Sequence, residues 1–439
     1  MERRFPAVHK LLHSPALAPF VAQLGRNTVR DAIREVLAAL RAEPSSHGSE
    51  QAILARVTTR LMDLARPSYP SVINATGVVI HTNLGRAPRL GVDVGTYLAL
   101  EFDLAEGVRG ERLAPVREKL VRYFGSEEAL VVTNNAAALL LLLAAHARGK
   151  EVIVSRGELI EIGGSFRLPE IMGQAGARLV EVGCTNRTHL GDYRRAASDA
   201  TAAILQVHRS NFAMTGFVAT PRPEALAELA RELRVAFWVD QGSGCHLDLT
   251  RYGLRGEATV QELLAAGADV VLFSGDKLLA GPQAGVLVGR REALAPLRRH
   301  PLRRALRPDK GVLVSLAATL DAYIAGEPHR VPLYRLLAEP AERLLRRARG
   351  LAQKLRQAGL PAQAVRTAAV LGGGTAPDQT VPSAAVALPD DPALARRLRL
   401  GEPPVVPRQE RGQLLLDLRA VFPEQDKLLF AATLRAWKG

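Results

Sequence analysis

Hydrophobic residues recur along this chain in three successive rhythms. In the first 66 residues the period is helical. Val29, Ile33, Val36, Leu37 and Leu40 share one face, which predicts a helix running from a cap at Asn27 to Leu40. Arg26, Arg30 and Arg34 recur every four residues on another face. The stretch 42–50, with Pro44, Gly48 and three serines, reads as a loop. A second helix is expected over Gln51–Leu64, and Pro67 and Pro70 then break the pattern. From about 71 to 310 the rhythm changes to short Val- and Ile-rich runs. They lie at Ala129–Thr133, Glu151–Ser155, Arg178–Val182, Ala203–His208, Ala236–Asp240, Val270–Ser274 and Val286–Val288. Most lack apolar–polar alternation, as parallel strands covered on both faces do. Helical stretches separate them, which predicts an α/β domain with a mainly parallel sheet. Beyond 311, helices at Val312–Ala325 and Ala341–Ala358, strands at Ala384–Leu388 and Leu414–Leu418, and a closing helix at Glu424–Trp437 predict a smaller α+β domain. The expected division is therefore 1–66, 67–310 and 311–439.

No apolar run reaches the roughly 18–20 residues of a membrane-spanning helix. The longest, Ala136–Ala145, reads as a buried helix. Met1 to Pro6 is charged but leads into no apolar export segment, so the cytoplasm and no membrane partner are the expectation. Two cysteines, Cys184 and Cys245, make neither a disulfide framework nor a metal cluster. The net charge of +14 suits a polyanionic partner, although scattered surface arginines produce the same figure. Residues 1–66 hold 10 Lys/Arg against 6 Asp/Glu, while 291–310 and 331–360 each hold 7 against 2.

Three strand ends in the middle region carry chemistry. Ser274-Gly275-Asp276-Lys277 follows an apolar strand, which sets the lysine at the carboxyl edge where open α/β sheets bind ligands. An amine shielded there loses proton affinity and becomes a nucleophile able to carry pyridoxal phosphate (PLP). Ser274 could bond the cofactor phosphate. Asp240 ends another strand, where a carboxylate can pair with the protonated pyridine nitrogen of PLP; a structural turn before Gly242-Ser243-Gly244 would read the same. Thr133-Asn134-Asn135-Ala136 closes a strand and opens a helix, which suits a phosphate and equally an ordinary asparagine cap. Each piece is weak alone, but their order in one domain resembles fold-type I PLP enzymes.

Longer stretches narrow the resemblance. Residues 72–86 (VINATGVVIHTNLGR) and 273–285 (FSGDKLLAGPQAG) closely resemble the selenocysteine synthase family, the bacterial seryl-tRNA(Sec) selenium transferases. Residues 154–164, 185–189 and 300–307 match it too, in the expected order. The resemblance implies a fold-type I PLP transferase in which Lys277 carries PLP and Asp240 faces the pyridine nitrogen. Asn134, Asn135, Ala136 and Ser274 would lie near the phosphate, and Ser210 and Asn211 near the ring hydroxyl. Arg86, Arg304 and Arg307 match arginines that bind the phosphate-like donor, a role suited to guanidinium forks; Arg303 and Arg307, four apart, also fit a solvated helical face. The implied reaction is β-elimination of the serine hydroxyl on seryl-tRNA(Sec), then addition of selenium from selenophosphate. The N-terminal domain would grip the tRNA, through Arg26, Arg30 and Arg34. A homodimer at minimum, and a ring of five dimers, is implied. Gln241 and Ala280 stand where the family carries leucine and glycine. The competing readings are a PLP lyase or aminotransferase for a free amino acid, which would not need the arginine trio, and a PLP-free RNA-binding protein.

Overall fold

The computed structural model describes residues 5–42, 49–163, 166–255 and 257–439. Most of the loop expected over 42–50, and Gly164 of the family motif, lie outside the described residues.

Residues 1–72 form one unit with a core of its own. Its helices span Val8–Leu12, Ala18–Leu24, Arg26–Ala42 and Glu50–Ala65. Spacings of four and three residues stack Val29, Ile33, Leu37 and Leu40 on one stripe, which buries against Ile53, Val57 and Leu61 of the last helix. Each such side chain contributes about 1.5–3 kcal/mol when fully buried. The cap expected at Asn27 is displaced: Gly25 ends the preceding helix at φ 83°, and the long helix starts at Arg26. Asn27 therefore falls inside the first turn. Arg30 and Arg34 share Asp31 at 3.1 and 3.4 Å on the exposed face.

Residues 73–439 form the second unit. Its strands, in chain order, are β1 (Ile73–Ala75), the pair β2 (Phe102–Asp103) and β3 (Val108–Arg109), β4 (Glu128–Val132), β5 (Glu151–Ser155), the pair β6 (Glu161–Ile162) and β7 (Phe166–Arg167), β8 (Arg178–Val182), β9 (Thr201–Val207), β10 (Ala236–Gly242), β11 (Val270–Ser274), β12 (Gly285–Gly289), β13 (Gln363–Val370), β14 (Thr380–Pro389), β15 (Val405–Glu410) and β16 (Gln413–Asp417). Seven of them build the central sheet in the order β4-β12-β11-β10-β9-β5-β8. All neighbours run parallel except β12, which is antiparallel to both β11 and β4. The mainly parallel α/β sheet of fold type I is thus present. Buried Leu139 and Leu141 to Leu143, on the helix Asn135–His146, belong to the same core as this sheet. Gly285 is needed at the start of β12, because a Cβ there would lie 2.1 Å from the carbonyl oxygen of Asn134.

The second sheet has the order β1-β15-β16-β14-β13. The motif at 73–80, expected within the large α/β domain, pairs here instead. β1 runs parallel to β15, and the N–H groups of Val79 and Ile80 donate to Val370 and Leu371 carbonyls at 3.0 and 2.7 Å. The chain then leaves this sheet and delivers Arg86 to the edge of the central one. Among the described residues no helix is long and apolar enough to cross a membrane.

Candidate active site at the carboxyl edge of the central sheet

Lys277 follows β11 in a loop held from several sides. The Gly275 N–H donates to Ala284 O and the Gly281 N–H to Gly275 O, both at 2.8 Å. The Leu278 N–H donates to Ser243 O at 2.8 Å. The hydroxyls of Tyr334 and Tyr323 donate to the carbonyls of Leu278 and Leu279 at 2.6 and 2.8 Å. The lysine side chain is enclosed, at 4% exposure. Burial holds its amine below the usual lysine range and the Arg86 charge adds to this, while Asp240, Asp276 and Glu257 pull the other way.

Asp240 lies opposite Val207 of β9 and Leu272 of β11. At 6% exposure, its carboxyl is pushed up to about 6, mainly by burial. Asn135 Nδ2, donating to Asp240 Oδ1 at 2.8 Å, and the Lys277 charge oppose that rise. The next residue, Gln241, points elsewhere: its Nε2 donates to Cys245 O at 3.0 Å and Ala258 O at 2.7 Å.

Of the two readings of the Asn134 segment, the asparagine cap is observed directly. Asn134 caps the helix Asn135–His146, its Oδ1 accepting from the Ala137 N–H at 2.8 Å. The cap leaves the N–H groups of Asn135 and Ala136 without acceptors among the described residues, at the positive end of the helix dipole. Arg86 follows Gly85, both in the left-handed region at φ 64° and 88°. Its Nη1 donates to both oxygens of Asp276, at 2.9 and 3.1 Å.

These side chains border one cavity of about 230 Å³. Lys277 and Ser274 come from the β11 loop, Asp240 from β10, Asn134 to Ala136 from the helix start, Ser210 from beyond β9, and Arg86 from the motif at 72–86. Three expected residues are placed elsewhere. Asn211 is exposed and does not line the cavity; its Nδ2 donates to Glu161 O at 2.6 Å. Arg304 and Arg307 open on a neighbouring cleft of about 440 Å³, with Arg112, Arg298 and His300. Arg307 donates to Glu101 at 3.2 Å, and Arg112, Arg109 and Arg307 together hold that carboxyl below its ordinary range. The two cavities share no lining residue, although the Thr133 N–H, beside Asn134, donates to Leu306 O, beside Arg307, at 3.1 Å.

Sequence reasoning missed Gly374. A Cβ there would lie 3.2 Å from Lys277 Nζ and 3.4 Å from Ser210 Oγ, and Gly372, Gly373 and Gly374 all have positive φ. Three consecutive glycines were the available signal. It also assigned no role to His208, which lines the cavity.

The chain is similar throughout to known proteins. The family model described as L-seryl-tRNA selenium transferase matches residues 72–422, and that described as selenocysteine synthase N terminal matches residues 3–41. Proteins named L-seryl-tRNA(Sec) selenium transferase from Geobacter sulfurreducens and Geobacter metallireducens are 44% and 45% identical, over 98% of this chain and of each relative. The protein of that name from Rhizobium meliloti is 43% identical over 97% of this chain and 96% of its own. Among solved structures, D-glucosaminate-6-phosphate ammonia-lyase shares the fold, with a TM-score of 0.59 at 20% identity over 86% of this chain and 97% of that one. Matched from end to end by these models and relatives, the chain belongs to the L-seryl-tRNA(Sec) selenium transferase family.

Proposed function

We propose that this protein converts seryl-tRNA(Sec) to selenocysteinyl-tRNA(Sec), with PLP carried on Lys277 and selenophosphate as selenium donor. The observation that carries the proposal is the convergence on one cavity of a buried amine, a buried carboxyl and two free helix N–H groups. Those residues fit PLP. The Asn135 and Ala136 N–H groups, with Ser274, suit its phosphate. Asp240, whose burial makes it costly to ionise, would be the partner of the protonated ring nitrogen. Asn135 Oδ1 is buried without a partner among the described residues, and Gly374 leaves clear the space beside Lys277 that a Cβ would fill. Ser210, which lines the cavity, would face the ring hydroxyl. Bound there, PLP supplies an electron sink for loss of the seryl α-proton and β-hydroxyl.

The protein's own groups do the rest. Lys277, its proton affinity lowered by burial, takes the α-proton and later returns one. The Asp276 carboxylate holds one end of the Arg86 guanidinium, leaving its remaining N–H groups to donate to a phosphate-like donor. Arg304 and Arg307 line a separate cleft that shares no residue with the Lys277 cavity of the same chain, so a site shared between two copies is the arrangement in which they join Arg86. A homodimer, extended to a ring of five dimers, and a cytoplasmic location complete the proposal. The N-terminal helices, with Arg26, Arg30 and Arg34 outward, take the tRNA.

The test sets seryl-tRNA(Sec) with and without selenophosphate against free serine. Selenocysteinyl-tRNA(Sec) should form only with tRNA-borne serine and the donor together. Equal or faster turnover of free serine would support the lyase reading instead. Lys277→Ala should lose the visible absorbance of the lysine-bound cofactor and all turnover.

A further inference from the structure

A second cavity, of about 160 Å³, lies beside the Lys277 site. Side-chain alternation along β9 and β10 sends Gln206, Val239 and Gln241 into it, while Asp240 faces the first cavity. His208 borders both. Four buried polar atoms among its lining residues have no hydrogen-bond partner among the described residues: Gln206 Oε1, His208 Nδ1, Gln241 Oε1 and Glu257 Oε1. Such atoms are costly unless something pairs them. Glu257 is the most informative. Its side chain is only 3% exposed, and Oε1 lies 3.7 Å from His208 Nδ1. That gap closes with a small side-chain rotation or a single bridging water.

The other oxygen of Glu257 is already in use. Oε2 accepts from the Ala376 N–H at 3.2 Å, and Ala376 lies two residues beyond Gly374, the glycine that faces Lys277 and Ser210. The same stretch of chain grips that loop again: the Arg255 N–H donates to Gln379 Oε1 at 2.6 Å, and Gln379 Nε2 donates back to Arg255 O. Gln241, through Ala258 O, fixes the backbone next to Glu257. The Glu257 charge also reaches Lys277, whose proton affinity it raises.

We infer that Glu257 is a positioning residue of the Lys277 site: one carboxylate oxygen holds the glycine loop 372–374 over the lysine, and the other holds the imidazole of His208 at the cavity's edge. The inference rests on the reading of Lys277 as the reactive amine. Glu257 thus links the end of the glycine loop to the His208 imidazole through one carboxylate.

The experiment uses the full chain with Glu257→Gln and Glu257→Ala, each made with His208 intact and with His208→Phe. Hydrogen exchange of residues 371–379, the PLP dissociation constant and kcat/KM for seryl-tRNA are measured. Glu257→Ala should speed exchange in that segment about fivefold or more and weaken PLP binding. The amide of Glu257→Gln can still accept from Ala376, so exchange should stay within about twofold of wild type. Its kcat/KM should nevertheless fall about threefold or more, and that loss should vanish in the His208→Phe background. Unaltered exchange in Glu257→Ala, or the same Glu257→Gln penalty with and without His208, overturns the inference. The exchange result does not depend on cofactor, so a wild-type protein that binds no PLP would defeat the reading of Lys277 while leaving the loop tether separately decided.

Discussion

The Asp240 carboxyl illustrates how a buried ionisable residue is held against its own preference. Burial raises it to about 6 in the cofactor-free protein, against about 4 in an unfolded chain. The folded state therefore binds this proton more tightly than the unfolded state. The resulting stabilisation is complete below pH about 4 and disappears as the pH rises through about 6. Asp240→Asn removes the titration. PLP-free Asp240→Asn should therefore be more stable than wild type above pH 7, by roughly 2–3 kcal/mol, and no more stable near pH 4, as read by thermal unfolding across that range. A difference that does not change with pH would refute the assignment of the strain to this carboxyl. Ala280 gives a second residue-level expectation. It sits at φ 53°, a region costing an L-residue roughly 1–2 kcal/mol. A buried Ala→Gly change ordinarily destabilises; Ala280→Gly should not, because relief of backbone strain offsets the lost methyl burial. A fall in Tm of several degrees in denaturation of the variant would contradict this.

At the scale of elements, the lysine loop depends on helices that belong to another part of the chain. Tyr334 donates to Leu278 O and lies 3.2 Å from His246 Nε2, while Tyr123 lies 2.7 Å from His246 Nδ1. Burial pushes His246 down to about 3, so the ring is neutral. With the Tyr334 hydrogen committed to Leu278, His246 must donate from Nε2 and accept from Tyr123 at Nδ1. Tyr334→Phe leaves two buried groups unpaired and should cost about 1–3 kcal/mol, with weaker PLP retention because the loop carrying Lys277 loosens; chemical denaturation and the bound-cofactor absorbance measure the two effects. The legibility of the elements follows similar lines. β5 and β11 coincide with the expected runs because apolar side chains occupy consecutive positions on strands flanked on both sides, and β8 coincides as well although it is an edge strand with a mostly uncovered face. β13 is mostly half-exposed at a sheet edge, β15 contains Pro407, and β1 is three residues long. Their pairing partners, not their own sequences, make them strands. The site divides in the same way. Lys277, Asp240 and Asn134 could be read because each stands at the end of an apolar strand. The cleft on which Arg304 and Arg307 open, the turning away of Asn211 and the approach of Glu257 to His208 arise from packing between segments far apart in sequence.

At the scale of the whole molecule, the question is where a net charge of +14 acts. The active cavity accounts for little of it, because Arg86 is offset by Asp276 and Lys277 by Asp240. The N-terminal unit offers a defined surface. Arg30 and Arg34 share Asp31 there, with side chains 38% and 61% exposed. Exposed pairs of this kind contribute about 0–1 kcal/mol, so exchanging the carboxylate for a phosphate costs the fold little. Neutralising Arg26, Arg30 and Arg34 together should then leave folding and cofactor absorbance intact while weakening tRNA binding. If all three meet phosphates, the slope of log affinity against log salt should fall by about 2–3, near 0.9 for each duplex contact. Contacts of this kind position the RNA without reading its sequence, so tRNA(Sec) and tRNA(Ser) should lose affinity in similar proportion. A steep wild-type slope that persists in the triple variant would remove the helical face from the interface. It would move the charge to 291–310 or 331–360, each with an excess of five basic residues, and the first of these contains the cleft that holds Arg304 and Arg307.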